Sequence, residues 1–129
     1  MVGLVIVSHS QKVAEGVKEL ASQMAVDVPI AAAGGTSDGR LGTDVEKIVN
    51  AINEVYSEDG VLIIFDLGSA YMNAEMALEY LEEDMKCKVD IVDTAIVEGA
   101  ITASVESSIN KTISEIKEAL KCLALGKMP

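Results

Sequence analysis

The chain has 129 residues, the size of a single domain, and half of them are hydrophobic, so a conventional core is feasible without disulfide or metal staples. Ten Lys and Arg against 21 Asp and Glu give a formal charge of −11, which repels a phosphate backbone and argues against direct nucleic-acid binding. For the same reason, any anionic substrate must be attracted locally by backbone dipoles rather than by the overall charge.

Four apolar segments predict four strands, each followed by a polar or glycine-containing turn and then by a segment with helical periodicity. The predicted strands are Val2–Val7, Val28–Ala33, Val61–Phe65 and Val89–Val92. Continuous apolar strands that alternate with helices are typical of a parallel sheet covered on both faces. The sequence therefore predicts an α/β fold with a four-stranded, mainly parallel sheet and helices on both faces, in a flavodoxin-like arrangement.

The helices that follow the first three strands have recognisable starts. Ser10 is a natural N-cap for the first helix, and Ser69 could cap the third. Thr43 and Glu46 have the spacing of a capping box at the second helix. The apolar stripe predicted for the first helix consists of Val13, Val17, Leu20, Ala21 and Met24.

The last part of the chain predicts one long helix from about Glu98 to Leu123. Its apolar stripe is longer than a small sheet needs, so we expect a subunit interface on it. The residues after Leu125 are predicted to form a loose tail.

The cysteines and the hydropathy pattern limit the cellular setting. Cys87 and Cys122 are far apart, without a CxxC pattern or a neighbouring His, so they are expected to be buried free thiols in a reducing compartment. The longest apolar run without glycine, Val61–Phe65, is far too short to cross a bilayer. In a signal peptide, a basic segment would precede Val2–Val7 and a small-residue cleavage site would follow it. The sequence has neither, so we expect a cytoplasmic protein.

The turns after the first and third strands carry the most informative side chains. Ligands of open parallel sheets bind beyond the carboxyl ends of the strands, and His9, the one histidine of the chain, follows the first strand. Asp66 follows the third strand and could lie beside the imidazole. A carboxylate on Nδ1–H would leave the lone pair of Nε2 outward. The alternative is structural: His9 as an ordinary turn residue and Asp66 as a turn or N-cap carboxylate.

The surrounding residues favour the imidazole itself as the reactive group. No GxSxG elbow is present, and Ser8, Ser10 and Ser69 resemble helix caps more than nucleophiles. Histidine can form covalent intermediates, and a phosphoryl group is the group that we expect Nε2 to carry. Only Lys12 and Arg40 are cations near these turns, so helix N-termini would have to bind the phosphoryl oxygens.

The glycine-rich segment 34–43 would allow close approach of backbone, although it could equally be a flexible surface loop. It lacks the GK[ST] of a Walker A loop, and no GxGxxG opens the first helix, so nucleotide binding to this chain is not indicated.

Several segments together resemble a known family. They are VGLVIVSHSQKVAEGV at the start, AAAGGTSDGRLGTD, IIFDLGSAYMNAEMALEYL and the later VEGA. The chain resembles, over nearly its whole length, the phosphoryl-carrier subunits of phosphotransferase-system-dependent dihydroxyacetone kinases, whose fold is similar to the mannose-class IIA domain of that system. The resemblance implies a single mannose-class IIA-like phosphoryl-carrier domain over residues 1–129.

The resemblance also implies roles, partners and an oligomeric state. His9 would accept a phosphoryl group from the histidine phosphocarrier protein and pass it to ADP on the nucleotide-binding kinase subunit, with Asp66 as the orienting carboxylate. The residues implied to surround the phosphoryl group are Ser10, Gly35, Thr36, Gly68 and Ser69. A homodimer is implied, and neither a metal nor a cofactor is expected at this site.

Two departures from the family pattern and two alternatives stay open. Some members carry further phosphocarrier domains, which this sequence lacks, and some have a proline near Ile96. One alternative is a mannose-class sugar-transport IIA domain that passes its phosphoryl group to a IIB protein, but residues 66–70 lack the GGSP-like turn usual there. The other is a non-catalytic flavodoxin-like interaction module, in which His9 would be a turn residue.

Overall fold

The four predicted strands are present and form one sheet in the computed structural model, which describes residues 1–128. The strands are β1 (Gly3–Ser8), β2 (Ile30–Gly34), β3 (Val61–Phe65) and β4 (Val89–Val92). The helices are α1 (Gln11–Met24), α2 (Val45–Val55), α3 (Gly68–Leu78), α4 (Glu83–Lys86), α5 (Ile96–Ser108) and α6 (Ile113–Leu120), and a 3-10 turn at Lys121–Leu123 follows α6.

The sheet has the strand order β2-β1-β3-β4, and every neighbouring pair is parallel. The predicted α/β class is therefore confirmed. The chain builds β2 on one side of β1 and then crosses to place β3 on the other side. This reversal puts a crevice at the carboxyl ends of β1 and β3, which is where ligands of such sheets bind.

Helices cover both faces of the sheet, as predicted from the continuous apolar strands. Side chains alternate along β1: Val5 and Val7 face α2 and α3, whereas Leu4 and Ile6 face α1, α5 and α6. Both sets are fully buried. The sheet is thus a rigid platform for the turns at its carboxyl edge. Within residues 1–128, no helix combines the length and hydrophobicity that a membrane span requires.

The single long C-terminal helix predicted from Glu98 to Leu123 is wrong. The chain breaks at Asn110, whose φ of 62° lies in the left-handed region, and α6 restarts behind a capping box formed by Thr112 and Glu115. Ile116 on α6 is fully buried, while Ile109 at the break is 60% exposed. The expected continuous stripe does not exist, so the homodimer rests on the family resemblance alone and stays a prediction.

Other predictions of burial are only partly right. Helix α1 buries Val17 and Ala21 as predicted, together with Ala14, because small side chains allow α5 to pack closely against this face. The other predicted members of the stripe are exposed, namely Val13, Leu20 and Met24. The two cysteines are exposed rather than buried. Helix α2 buries an apolar face that includes Ile48, Ile52 and Val55.

Gly99 in α5 provides a test of the packing between α5 and the turn that follows β4. A Cβ at Gly99 would lie 2.4 Å from Cγ2 of the buried Thr94, so Gly99→Ala should lower the free energy of unfolding by about 1–3 kcal/mol. Gly16 on the exposed face of α1 has open space around its Cα, and Gly16→Ala should raise stability by up to about 1 kcal/mol through helix propensity. Urea denaturation measures both. Equal effects of the two substitutions would contradict the close contact between Gly99 and Thr94.

Candidate functional site

The strand order brings His9 and Asp66 together at the crevice between β1 and β3. Each residue immediately follows its strand, and the strands pair in register up to Val7 and Phe65. His9 Nδ1 lies 3.0 Å from Asp66 Oδ1. The juxtaposition expected from the sequence is therefore a direct consequence of the parallel pairing of β1 with β3.

The carboxylate of Asp66 collects hydrogen bonds from several donors. Its Oδ2 accepts from the His9 main-chain N–H at 3.0 Å and from the Ser8 hydroxyl at 2.8 Å, and its Oδ1 accepts from the Leu67 N–H at 2.7 Å. Burial of this carboxyl raises its pKa, but the hydrogen bonds from His9, Ser8 and Leu67 outweigh burial, so the pKa of Asp66 lies below the usual value of 3.8. Asp66 is therefore ionised at neutral pH and fixed in orientation.

The imidazole of His9 is held at both ring nitrogens. An ionised Asp66 requires a proton on Nδ1, so Nε2 carries the lone pair. The hydroxyl of Ser69 lies 2.7 Å from Nε2 and donates to it. The side chain of His9 is 27% exposed, which leaves the ring accessible from solvent. His9 thus presents a basic, outward-facing nitrogen.

Helix α3 begins beside this nitrogen without a side-chain cap. The cap residue is Leu67, and Ser69, expected as a cap, lies in the first turn with its hydroxyl on His9. Among residues 1–128, the main-chain amides of Gly68 and Ser69 form no hydrogen bond. Free amides at a helix N-terminus bind anions because they point outward and lie at the positive end of the helix dipole. The start of α3 can therefore receive the oxygens of an anion bonded to Nε2.

The glycine-rich loop between β2 and α2 is ordered by hydrogen bonds to the end of β1 and within the loop. Gly42 N–H donates to the His9 carbonyl at 2.7 Å, and Gly35 N–H donates to the Ser8 carbonyl at 3.2 Å. Thr36 N–H donates to the Arg40 carbonyl at 2.9 Å. The amide of Gly35 is thus occupied by the end of β1 and that of Thr36 by Arg40 within the loop, and their contact with a phosphoryl group stays a prediction.

Ser10 caps α1 as predicted, by accepting from the Val13 N–H at 3.3 Å. The capping box predicted at α2 is wrong: Asp44 is the N-cap and accepts from the Lys47 N–H. The hydroxyl of Thr43 instead accepts from the Asn73 side chain at 2.5 Å, which ties the loop to α3.

Two residues that the sequence analysis did not assign complete this edge of the sheet. The expectation of a loose tail after Leu125 is wrong, because Asp93 accepts from the main-chain N–H groups of Leu125 and Lys127. The ammonium group of Lys127 reaches the ends of β3 and β4, so Lys12 and Arg40 are not the only cations near the turns. No local signal could have placed Lys127 there, since its partner Phe65 lies 62 positions away.

The assembled site has the chemistry of a nucleophilic imidazole beside an anion-binding helix start. Asp66 can stabilise positive charge that develops on the ring, and α3 can stabilise negative charge on a transferred group. Within residues 1–128, no cluster of His, Cys, Asp and Glu side chains could hold a metal ion. The arrangement suits covalent carriage of a small anionic group on Nε2.

Comparison with known proteins gives a consistent result. The family profile of EIIA-man, the fructose IIA component of the phosphotransferase system, matches residues 3–117. The chain is 42% identical to the phosphoryl donor subunit DhaM of dihydroxyacetone kinase 2 from Listeria innocua, covering 93% of this chain and 97% of that one. It is 37% identical to the phosphotransferase subunit DhaM from Lactococcus lactis, covering 97% and 98%. The crystal structure of a protein of unknown function superimposes with a TM-score of 0.84 at 36% identity, covering 95% and 94%.

The low pKa of Asp66 leads to a testable pH dependence of stability. Asp66→Asn should lower the free energy of unfolding at pH 7 by about 1–3 kcal/mol, because charged hydrogen bonds to buried donors are lost. The stabilisation by Asp66 is complete above the ordinary value of 3.8 and is lost as the pH falls through the lower pKa of the folded state. The difference between wild type and variant, measured by urea denaturation from pH 7 to pH 2.5, should therefore shrink only below about pH 4. A stability difference that does not change with pH would contradict the lowered pKa of Asp66 in the folded protein.

Proposed function

Because the chain belongs to the EIIA-man family, and within it to the phosphoryl donor subunits of phosphoenolpyruvate-dependent dihydroxyacetone kinase, we propose that His9 is the residue that carries the phosphoryl group. In this proposal, residues 1–129 act as one phosphoryl-carrier domain. The donor is the histidine phosphocarrier protein of the phosphotransferase system. The acceptor is ADP on the nucleotide-binding kinase subunit.

One observation carries the assignment of Nε2 as the reacting atom. Asp66 occupies Nδ1 of His9, and Nε2 faces the uncapped start of α3. The bond to Asp66 places the proton of the neutral imidazole on Nδ1, so the lone pair that attacks is on Nε2. The Ser69 hydroxyl contacts Nε2, so we expect the free amides of Gly68 and Ser69 beside it to donate to the oxygens of a group on Nε2.

Phosphoryl transfer to His9 proceeds as an in-line displacement. The lone pair of Nε2 attacks the phosphorus of the donor's phosphohistidine, a new P–N bond forms, and the P–N bond of the donor breaks with its electron pair returning to the donor imidazole. Charge develops on the equatorial oxygens, which the helix amides and the Ser69 hydroxyl stabilise. The positive charge that develops on the His9 ring is balanced by Asp66.

Discharge reverses these roles. A β-phosphate oxygen of ADP attacks the phosphorus, the P–Nε2 bond breaks, and ATP forms on the partner subunit while His9 regains its lone pair. The nucleotide and any Mg²⁺ that accompanies it belong to that partner. This division suits a chain of charge −11, which offers an ADP phosphate group only helix dipoles and few nearby cations.

Intact-protein mass spectrometry tests the carrier function. Incubation with phosphoenolpyruvate, the first enzyme of the phosphotransferase system and the histidine phosphocarrier protein should add one acid-labile phosphoryl group to the wild type and none to His9→Ala. Addition of the ADP-loaded kinase subunit should then remove it and form ATP.

Each departure from this result has a distinct meaning. Discharge only by a sugar-specific IIB protein would replace the kinase function with sugar transport. Absence of any phosphorylation of the wild type would contradict the carrier function itself and support an interaction module.

Ser69 provides a second test of the site. Its hydroxyl donates to neutral Nε2 before transfer and to a charged phosphoryl oxygen afterwards, and charge-assisted hydrogen bonds are about twice as strong. Ser69→Ala should therefore slow transfer to His9 by about 5–10-fold in quenched-flow measurements. Ser108→Ala, which removes an exposed hydroxyl bonded within α5, is the matched control and should have no effect. An unchanged rate in Ser69→Ala would remove Ser69 from the mechanism.

A further inference from the structure

The ammonium group of Lys127 joins the carboxyl ends of two strands next to the site. Lys127 Nζ donates to the carbonyl of Phe65 at the end of β3 and to the carbonyl of Thr94 after β4, both at 2.7 Å. It also lies 4.8 Å from the centroid of the Phe65 ring, within cation–π distance. Phe65 directly precedes Asp66, so Lys127 fixes the residue from which the orienting carboxylate projects.

The main chain around Lys127 is fixed as well. Asp93 Oδ2 accepts from the Lys127 N–H at 2.7 Å, and Asp93 Oδ1 accepts from the Leu125 N–H at 3.1 Å. The Ala95 N–H donates to the carbonyl of Leu123 at 3.0 Å. The segment 123–127, which we call the strap, therefore lies across the ends of β3 and β4. Its hydrogen bonds hold the Lys127 side chain in one orientation.

This strap also touches the start of α3. A Cβ placed on Gly68 would lie 3.1 Å from the Lys127 carbonyl oxygen, so the two backbones are in close contact. Gly68 is the first residue of α3, and the next residue is Ser69, whose hydroxyl bonds Nε2 of His9. A displacement of Lys127 would therefore move both the Asp66 carboxylate and the main-chain amides at the start of α3.

The charge of Lys127 acts in the same region. Burial lowers the pKa of Lys127, while the carboxylates of Asp93 and Asp66 oppose this shift. Arg40, by contrast, is 81% exposed and paired with Asp38. The ammonium group of Lys127 thus lies on the carbonyl of the residue that precedes Asp66.

We propose that Lys127 is a positioning residue for phosphoryl transfer at His9: its ammonium group ties β3 to β4 and so holds Asp66 and the start of α3 in place. The proposal rests on the phosphoryl-carrier function of His9. Lys127 does not bond the imidazole and acts through Phe65 and the α3 backbone.

The test compares Lys127→Met, Lys127→Arg and the control Lys121→Met. Methionine keeps the apolar stem of Lys127 but removes the charge and both hydrogen bonds. Arginine keeps the positive charge and the N–H donors. Lys121 is exposed on the neighbouring 3-10 turn, and its replacement makes the same change of net charge. Single-turnover phosphorylation is measured by quenched flow over a range of phosphocarrier concentrations. Each variant is first checked for native fold by its amide NMR spectrum.

Lys127→Met should lower the maximal transfer rate about tenfold, the effect of losing bonds to a charged donor, without changing the half-saturating phosphocarrier concentration. Lys127→Arg should restore most of the rate, and Lys121→Met should match the wild type. If Lys127→Met does not fold, Lys127→Gln, which keeps an N–H donor without the charge, takes its place with the same expected loss.

Three results would overturn the proposal while leaving the carrier function intact. They are a wild-type rate in Lys127→Met, an equal loss in Lys121→Met, and a change confined to the half-saturating concentration. Failure of wild-type His9 to be phosphorylated, tested in parallel with His9→Ala, would overturn the carrier function and this proposal together.

Discussion

The carboxylate of Asp66 is the interaction on which the rest of the site depends. It is held by N–H and O–H donors from the ends of both β1 and β3, and its Oδ1 faces Nδ1 of the His9 imidazole. Without it, the imidazole could adopt either tautomer and rotate about its side-chain bonds. The strand order explains why such a group exists here, because the crevice at the β1/β3 reversal leaves both turns facing each other.

A strongly acidic chain can carry an anionic group because it uses backbone rather than side-chain charge. The uncapped start of α3 provides oriented N–H groups and the positive end of a helix dipole, which bind an anion only at short range. A dense cluster of arginines would bind a phosphoryl group more tightly but would also oppose its release. A carrier must both accept and donate the phosphoryl group, and this requirement favours moderate affinity for it.

The features of the fold that local sequence determines were predictable. The continuous apolar strands predicted a buried parallel sheet, and the residues at the strand ends identified His9 and Asp66 without knowledge of the strand order. The Ser10 cap was also predictable, because an N-cap depends on residues within one turn.

Features that depend on tertiary partners were not predictable. Thr43 matches a capping box, but its hydroxyl bonds Asn73 instead, and Ser69 matches a cap but contacts His9. The periodicity of the C-terminal segment continued through Asn110, where the backbone adopts a left-handed conformation and the helix is interrupted. Lys127 lay in a segment without any pattern, and only the folded chain brings it to Phe65.

In the proposed function, Asp66 fixes the tautomer of His9 so that Nε2 becomes phosphorylated. The most direct measurement is a long-range ¹H–¹⁵N NMR spectrum of histidine-labelled protein before and after phosphorylation, which is unambiguous because the chain has one histidine. We expect a proton on Nδ1 in both states and phosphorus–nitrogen coupling at Nε2 after phosphorylation. Coupling at Nδ1, or a phosphoryl group on a serine, would contradict it.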